Sequence, residues 1–137
     1  EEIRALVKEL QLEDHIIFAG FRKDIPEILP DFDLFMFTSN NEPTGGVLLE
    51  SYACKVPIVA ANAGGIPEVV INNQTGLLAE VGNPEDFAEK VILLLNNPEL
   101  QEKFKEKGYQ YLLDNFTKEV IAKKMFTELN EVVKSNQ

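Results

Sequence analysis

The sequence predicts an α/β protein in which a parallel sheet is flanked by helices. Its apolar runs are short, helical patterns separate them, and the last part of the chain has helical patterns alone. Strands that are apolar throughout are typical of parallel strands buried on both faces. Strands that alternate with helices favour right-handed crossovers within one layered domain. We therefore expect a Rossmann-like sheet of about four strands with a helical C-terminal tail.

Each predicted strand is an apolar run that ends at turn residues, and each predicted helix has apolar residues at helical spacing or a capping residue at its start. The strands are expected at residues 15–19, 34–37, 57–60 and 77–79. Shorter helices are expected at residues 3–12, 24–29, 45–54 and 67–70. Three further helices at about 84–96, 98–113 and 117–133 form the helical C-terminal part, residues 84–133.

Composition narrows the function classes. The 137 residues suffice for one domain with its own core, and the net charge is −10. The absence of Lys and Arg clusters excludes a nucleic-acid binder and a polybasic membrane patch. No apolar run approaches the ~18 residues of a transmembrane helix. The single cysteine, Cys54, favours the reducing cytosol, and peripheral attachment of a longer parent protein to a membrane stays open.

The segment from Thr38 to Glu50 is the candidate binding site. It follows the second predicted strand, and open parallel sheets bind ligands beyond the carboxyl ends of their strands. Gly45 and Gly46 stand at a predicted helix start, where free amides and the helix dipole suit an anion such as phosphate. Glu42 lies in the loop, and Glu50 lies about one turn into the helix. Two carboxylates beside an anion site fit a ligand that carries both phosphate and hydroxyl groups.

This segment belongs to an ordered set of motifs that covers about residues 12–133. The motifs are Phe18-Ala19-Gly20, residues 33–39, Glu42 with Glu50 eight residues on, residues 52–60, residues 64–70 and residues 75–78. Together they resemble glycosyltransferase family 4, also called group 1, whose members are retaining enzymes with the GT-B fold. The resemblance implies a nucleoside diphosphate sugar as donor, an acceptor hydroxyl, no cofactor and no metal. Polysaccharide, lipopolysaccharide or glycolipid assembly is typical of the family.

The resemblance also implies roles for residues. Glu42 would be the catalytic-centre residue that contacts hydroxyls of the donor sugar, and Glu50 would bind the ribose hydroxyls. Phe21 and Arg22 would lie near the nucleotide base. The residues expected to bring backbone amides to the sugar and diphosphate are Thr44, Gly45, Gly46 and Val47.

The sequence departs from the family pattern in ways that bear on activity. The aromatic residue common between the two glutamates is absent from Pro43-Thr44-Gly45-Gly46, and Lys55 stands where a glycine is common. The Arg and Lys that hold the donor phosphates have no match in the chain. The chain starts within a helical pattern and without Met, so we expect an N-terminally truncated donor-binding domain, residues 1–137, that lacks the acceptor-binding N-terminal domain. The isolated chain should be inactive and should expose a sheet edge that invites self-association.

Three functional hypotheses stay open. The leading hypothesis is the donor-binding part of a hexosyltransferase-like enzyme that retains the anomeric configuration. The second is a sugar-nucleotide epimerase of the same fold, which would convert the donor without an acceptor. The third is a non-catalytic module that binds a nucleotide sugar or a partner. The first two hypotheses place a nucleotide sugar at Thr38–Glu50, and the third does so only if the module binds the donor.

Overall fold

A computed structural model describes residues 2–41 and 45–135 of the chain. The fold is α/β, as predicted, with seven α-helices and a three-stranded sheet among these residues. The strands are β1 (Phe35–Phe37), β2 (Ile58–Ala61) and β3 (Leu77–Ala79). The helices are α1 (Glu2–Glu9), α2 (Ile25–Ile28), α3 (Gly46–Ala53), α4 (Ile66–Val69), α5 (Pro84–Leu95), α6 (Pro98–Asn115) and α7 (Lys118–Ser135). A 3-10 turn, Leu29–Asp31, continues α2.

The sheet is parallel throughout, in the order β1-β2-β3. Met36 of β1 lies opposite Val59 of β2, and Val59 lies opposite Leu77 of β3. Helix α3 connects β1 to β2, and α4 connects β2 to β3. Every residue of β2 is buried, as expected of a central strand in a sheet covered on both faces.

The sheet has three strands, so the expectation of about four was wrong. Residues 15–19 do not form the predicted first strand, and Ile17 is 93% exposed. A strand needs a neighbour for its backbone N–H and C=O groups, and no described strand pairs with this segment. Phe18 instead lies under the guanidinium of Arg4, 4.1 Å from the ring centroid. The segment is apolar like a strand, but it has no strand partner among the described residues.

The core lies between the sheet and helices α3, α5 and α6. Tyr52 of α3, Phe104 of α6 and Leu94 of α5 are almost completely buried around β2 and β3. Asn83 and Asn97 cap α5 and α6, because each side chain accepts a hydrogen bond from a backbone N–H three residues on, at 3.0 Å. The capped helices therefore begin where the sequence predicted, and they hold the helical C-terminal part against the sheet.

Helix α3 ends at a left-handed residue. Lys55, which follows the C-cap, has φ of +54°, and its backbone N–H donates to the carbonyl of Tyr52 at 3.0 Å. A glycine would take this conformation without strain. The side chain of Lys55 bonds Glu106 of α6 at 2.6 Å. The departure from the family pattern therefore places a side chain at a left-handed helix end and adds a surface ion pair.

Within the described residues, no helix is both long enough and apolar enough to cross a membrane.

Candidate functional site

The start of α3 depends on a glycine. Gly45 is the N-cap residue, with φ of +57° and ψ of +44°, and it is buried. Its carbonyl accepts a hydrogen bond from the N–H of Leu48 at 2.8 Å, which closes the first helical turn. The left-handed conformation costs a residue with a Cβ about 1–2 kcal/mol. Glu42, Pro43 and Thr44 lie outside the described residues, so the roles assigned to Glu42 and Thr44 stay predictions.

The first turn of α3 leaves room for a ligand. Gly46 is exposed, and a Cβ built on it would meet no atom of the described residues within 4 Å. Val47 is half-buried, and its carbonyl accepts a hydrogen bond from Ser51 at 3.1 Å. The N–H groups of a first helical turn have no partner within the helix and carry the positive end of its dipole. The amides of Gly46 and Val47 belong to this first turn, whose dipole suits an anion.

Glu50 lies on the same side of α3 as Gly46, one turn further on. Side chains on a helix lean toward its N-terminus, so the carboxylate of Glu50 extends toward the position of Gly46. Glu50 is exposed, and its carboxylate has no hydrogen-bond partner among the described residues. Because Gly46 has no side chain, nothing on the helix blocks that approach. Glu50 thus lies one helical turn from the first-turn amides, on the same side of α3.

Buried contacts hold α3 in place beneath this surface. The hydroxyl of Tyr52 donates to Thr75 Oγ1 at 2.7 Å and also lies 3.2 Å from the carbonyl oxygen of Val69. Burial raises the pKa of the Tyr52 hydroxyl, so it remains a hydrogen-bond donor at neutral pH. Thr75 Oγ1 also accepts from the N–H of Ile71 at 2.9 Å. This network fixes α3 against the loop before β3, and hence fixes the direction of Glu50.

The segment expected at the nucleotide base, Phe21 with Arg22, is exposed and contains an ion pair between Arg22 and Asp24. Phe21 is 88% exposed. Arg22 donates two hydrogen bonds to Asp24, of which the Nε–Oδ1 bond is 2.8 Å long. The guanidinium hydrogen bond holds the pKa of the Asp24 carboxyl below its usual range. No described contact joins Phe21 or Arg22 to α3, so their assignment to the base stays a prediction.

The sequence did not predict a cavity of about 500 Å³, which lies at the carboxyl end of the strands. Its polar lining includes Thr38, Asn40 and Asn83, and its apolar lining includes Met36 and Phe87. Thr38 and Asn40 belong to the segment that the sequence predicts as the binding site, whereas the apolar lining comes from β1 and α5. Gly45, Gly46 and Glu50 do not line it, so the cavity and the α3 surface are separate features of the described part of the chain.

No three His, Cys, Asp or Glu side chains within residues 2–41 and 45–135 lie close enough together to share a metal ion. The expectation that no metal is needed stays a prediction.

Comparison with known proteins identifies the family. The family model described as "Glycosyl transferases group 1" matches residues 1–111. N-acetyl-alpha-D-glucosaminyl L-malate synthase of Bacillus anthracis is 36% identical over 135 residues, which is 98% of this chain and 35% of that protein. The chain belongs to the group 1 glycosyltransferase family, as the resemblance implied. It spans about a third of the length of this curated relative.

Solved structures lead to the same family. A structure titled as Anabaena Alr3699/HepE in complex with UDP is 28% identical, has a TM-score of 0.88 and covers 95% of this chain and 36% of its own. The C-terminal domain of a group 1 glycosyltransferase (LpcC) from Francisella tularensis is 29% identical, with a TM-score of 0.75, and covers 85% of this chain and 62% of its own. The fold is therefore part of the C-terminal domain of a GT-B glycosyltransferase.

Proposed function

We propose that the chain is the donor-binding part of a retaining glycosyltransferase, which transfers a sugar from a nucleoside diphosphate to an acceptor hydroxyl. The observation that carries the proposal is the start of α3, where the left-handed Gly45 precedes the exposed Gly46 and Glu50 follows one turn later on the same side of the helix. The amides and the helix dipole suit the diphosphate, and Glu50 suits the two adjacent hydroxyls of the ribose.

We propose a uridine nucleotide as the donor's leaving group. The support is the likeness to the Anabaena structure titled as a complex with UDP, at 28% identity and a TM-score of 0.88. A structure of the same Anabaena protein is titled as a complex with UDP-glucose, and it covers 95% of this chain. UDP is therefore the first probe for this chain.

The experiment is a titration of the ¹⁵N-labelled chain with UDP, followed through the amide resonances of Gly45, Gly46 and Val47. We expect these resonances to shift, with weak affinity because residues 38–54 contain no Lys or Arg for the diphosphate. Glu50→Ala should weaken binding at least about tenfold, because hydrogen bonds to a charged group are worth about 1.5–3 kcal/mol. Glu68→Ala, which removes an exposed glutamate from the first turn of α4, is the matched control and should bind as the wild type does.

A nucleotide without the diol makes the test specific. For 2′,3′-dideoxy-UDP, the wild type and Glu50→Ala should bind equally, because the groups that Glu50 contacts are gone. If Glu50→Ala weakens UDP and the dideoxy analogue to the same extent, Glu50 does not bind the ribose. If UDP shifts none of the three amides, the assignment of the donor site to α3 is wrong.

We further propose that the isolated chain transfers sugar at a negligible rate. Helix α3 contains no Lys or Arg, and the loss of one charge-stabilising donor in an active site costs about 3–4 kcal/mol of transition-state stabilisation. The part of the active site that binds the acceptor would lie in the two thirds of the relative's length that this chain does not span. A coupled assay for UDP release from UDP-glucose should therefore give only background, and turnover that Glu50→Ala abolishes would contradict this.

A further inference from the structure

A buried tyrosine hydroxyl joins helix α3 to the chain segment between α4 and β3. Tyr52 is almost completely buried, and its hydroxyl lies 2.7 Å from Thr75 Oγ1 and 3.2 Å from the carbonyl oxygen of Val69. Leu48, the other large buried side chain of α3, makes apolar contacts, which have no preferred direction. Because hydrogen bonds are directional, the Tyr52 hydroxyl sets the rotation of α3 about its own axis.

The segment that carries Thr75 is packed directly on the sheet. A Cβ on the neighbouring Gly76 would lie 2.9 Å from the carbonyl oxygen of Ile58 in β2. A side chain has no room there, so the backbone of this segment rests on the central strand. The N–H of Ile71 also donates to Thr75 Oγ1 at 2.9 Å. The partner of the Tyr52 hydroxyl is therefore fixed relative to β2.

The direction of Glu50 depends on the rotation of α3. Its carboxylate has no hydrogen-bond partner among the described residues, so no contact on its own side of the helix orients it. Glu50 and Tyr52 are two residues apart, which is about 200° around a helix of 3.6 residues per turn. The exposed carboxylate and the buried ring therefore lie on roughly opposite sides of α3. A rotation that breaks the hydrogen bond of Tyr52 also changes where Glu50 points relative to the sheet.

We propose that Tyr52 is a positioning residue for the donor site, whose hydroxyl holds α3 at the rotation in which Glu50 reaches the ribose diol. The inference rests on the proposed function, since it concerns the diol that Glu50 is proposed to bind. Hydrogen bonds to a diol weaken steeply as their angles depart from linear. The attraction between the diphosphate and the helix dipole varies gradually with distance and angle. Loss of the Tyr52 hydroxyl should therefore weaken recognition of the diol much more than recognition of the diphosphate.

The test measures the diol preference, which is the ratio of the dissociation constants of 2′,3′-dideoxy-UDP and UDP in titrations of the ¹⁵N-labelled chain. We expect a preference of at least about tenfold in the wild type. Tyr52→Phe, which removes only the hydroxyl, should lower the preference to about threefold or less, while dideoxy-UDP binds within about twofold of its wild-type affinity. Thr75→Val should have the same effect. Thr75→Ser keeps a hydroxyl at this position and should keep the wild-type preference.

A control variant separates the position of α3 from the stability of the fold. Asn97→Ala removes the hydrogen bond that caps α6, and this cap does not involve Tyr52 or its partners. It should destabilise the fold and keep the wild-type diol preference. Circular dichroism under the titration conditions confirms that each variant is folded. In a Glu50→Ala background, Tyr52→Phe should weaken UDP binding by no more than about twofold, because the hydroxyl acts through the carboxylate.

The outcomes separate the inference from the proposed function. If the wild type prefers the diol and Tyr52→Phe keeps that preference, Tyr52 does not position Glu50, and the proposed donor site stands. If Asn97→Ala loses the preference as Tyr52→Phe does, the preference follows stability alone, and the inference is again overturned. If the wild type binds UDP and dideoxy-UDP equally, Glu50 does not bind the diol, and the role proposed for Glu50 fails together with the inference.

Discussion

The contact between α6 and α3 yields the sharpest stability prediction. Gly108 of α6 is buried, and a Cβ at this position would lie 2.4 Å from Cδ1 and 2.6 Å from Cε1 of the Tyr52 ring. Carbon atoms do not approach this closely, so either the ring or the helix has to move. The ring is almost completely buried, and its hydroxyl is held by Thr75 at 2.7 Å. Neither movement is therefore small.

The magnitude follows from two opposing effects. Alanine in place of glycine within a helix favours folding by about 1 kcal/mol. Overpacking a well-packed core costs typically about 1–3 kcal/mol, and occasionally more. Because the clash is with ring carbons of an immobile side chain, we expect the upper part of that range. Gly108→Ala should therefore lower the free energy of unfolding by about 1–2 kcal/mol, which corresponds to a decrease in Tm of several degrees.

The assay is urea unfolding followed by far-UV circular dichroism. Gln110→Ala, at an exposed position of the same helix, is the control and should change stability by less than about 0.5 kcal/mol. The double variant Tyr52→Leu with Gly108→Ala should cost less than the sum of the two single changes, because the smaller side chain makes room for the new methyl group. A Gly108→Ala variant that is as stable as the wild type, or more stable, would refute this reasoning.

Three further predictions concern the helix end, the buried hydroxyls and a surface carboxylate. Lys55→Gly should raise Tm by a few degrees, because glycine takes the left-handed conformation without strain and the exposed ion pair adds little stability. A lower Tm in thermal unfolding would show that the ion pair dominates. Thr75→Val should cost about 1–3 kcal/mol in urea unfolding, because it leaves the Ile71 N–H without its acceptor and takes a partner from Tyr52; a neutral result would mean that water replaces the hydroxyl. Hydrogen bonds from Lys90 and from the Glu80 backbone hold the pKa of Asp86 below its usual range. The stabilisation from the ionised Asp86 is therefore present at neutral pH and is lost as the pH falls through the folded-state pKa. The difference in stability between the wild type and Asp86→Asn should close below about pH 4. A constant difference between pH 7 and pH 3 would contradict this.

The helices were the most predictable elements, because their signals are local. Asn83 and Asn97 cap α5 and α6 at the predicted starts, each with Pro at the first helical position. Gly45 and Gly46 begin α3 as predicted. Cap residues and apolar spacing act within a few residues along the chain, so one sequence is enough to recognise them.

Pairing and close packing were less predictable, because they depend on groups far apart in the chain. The apolar run at residues 15–19 has the composition of a strand but no described neighbour to pair with. The bond from Tyr52 to Thr75 and the contact between Gly108 and Tyr52 join segments that no local pattern relates. The cavity behind Met36 likewise arises only when α5 packs against the sheet.

The sequence by itself determined the fold class, the family and the segment that carries the candidate site, because these depend on periodicity, caps and an ordered set of motifs. The tertiary structure decided which apolar segments pair, how α3 is fixed beneath Glu50, and which faces stay exposed. The physical reason is that hydrogen-bond pairing and burial each need a partner at long range. At α3 the sequence and the tertiary structure agree. The sequence places Glu50 one turn after Gly46, and the packing of Tyr52 against Gly108 holds the helix that carries both residues in place.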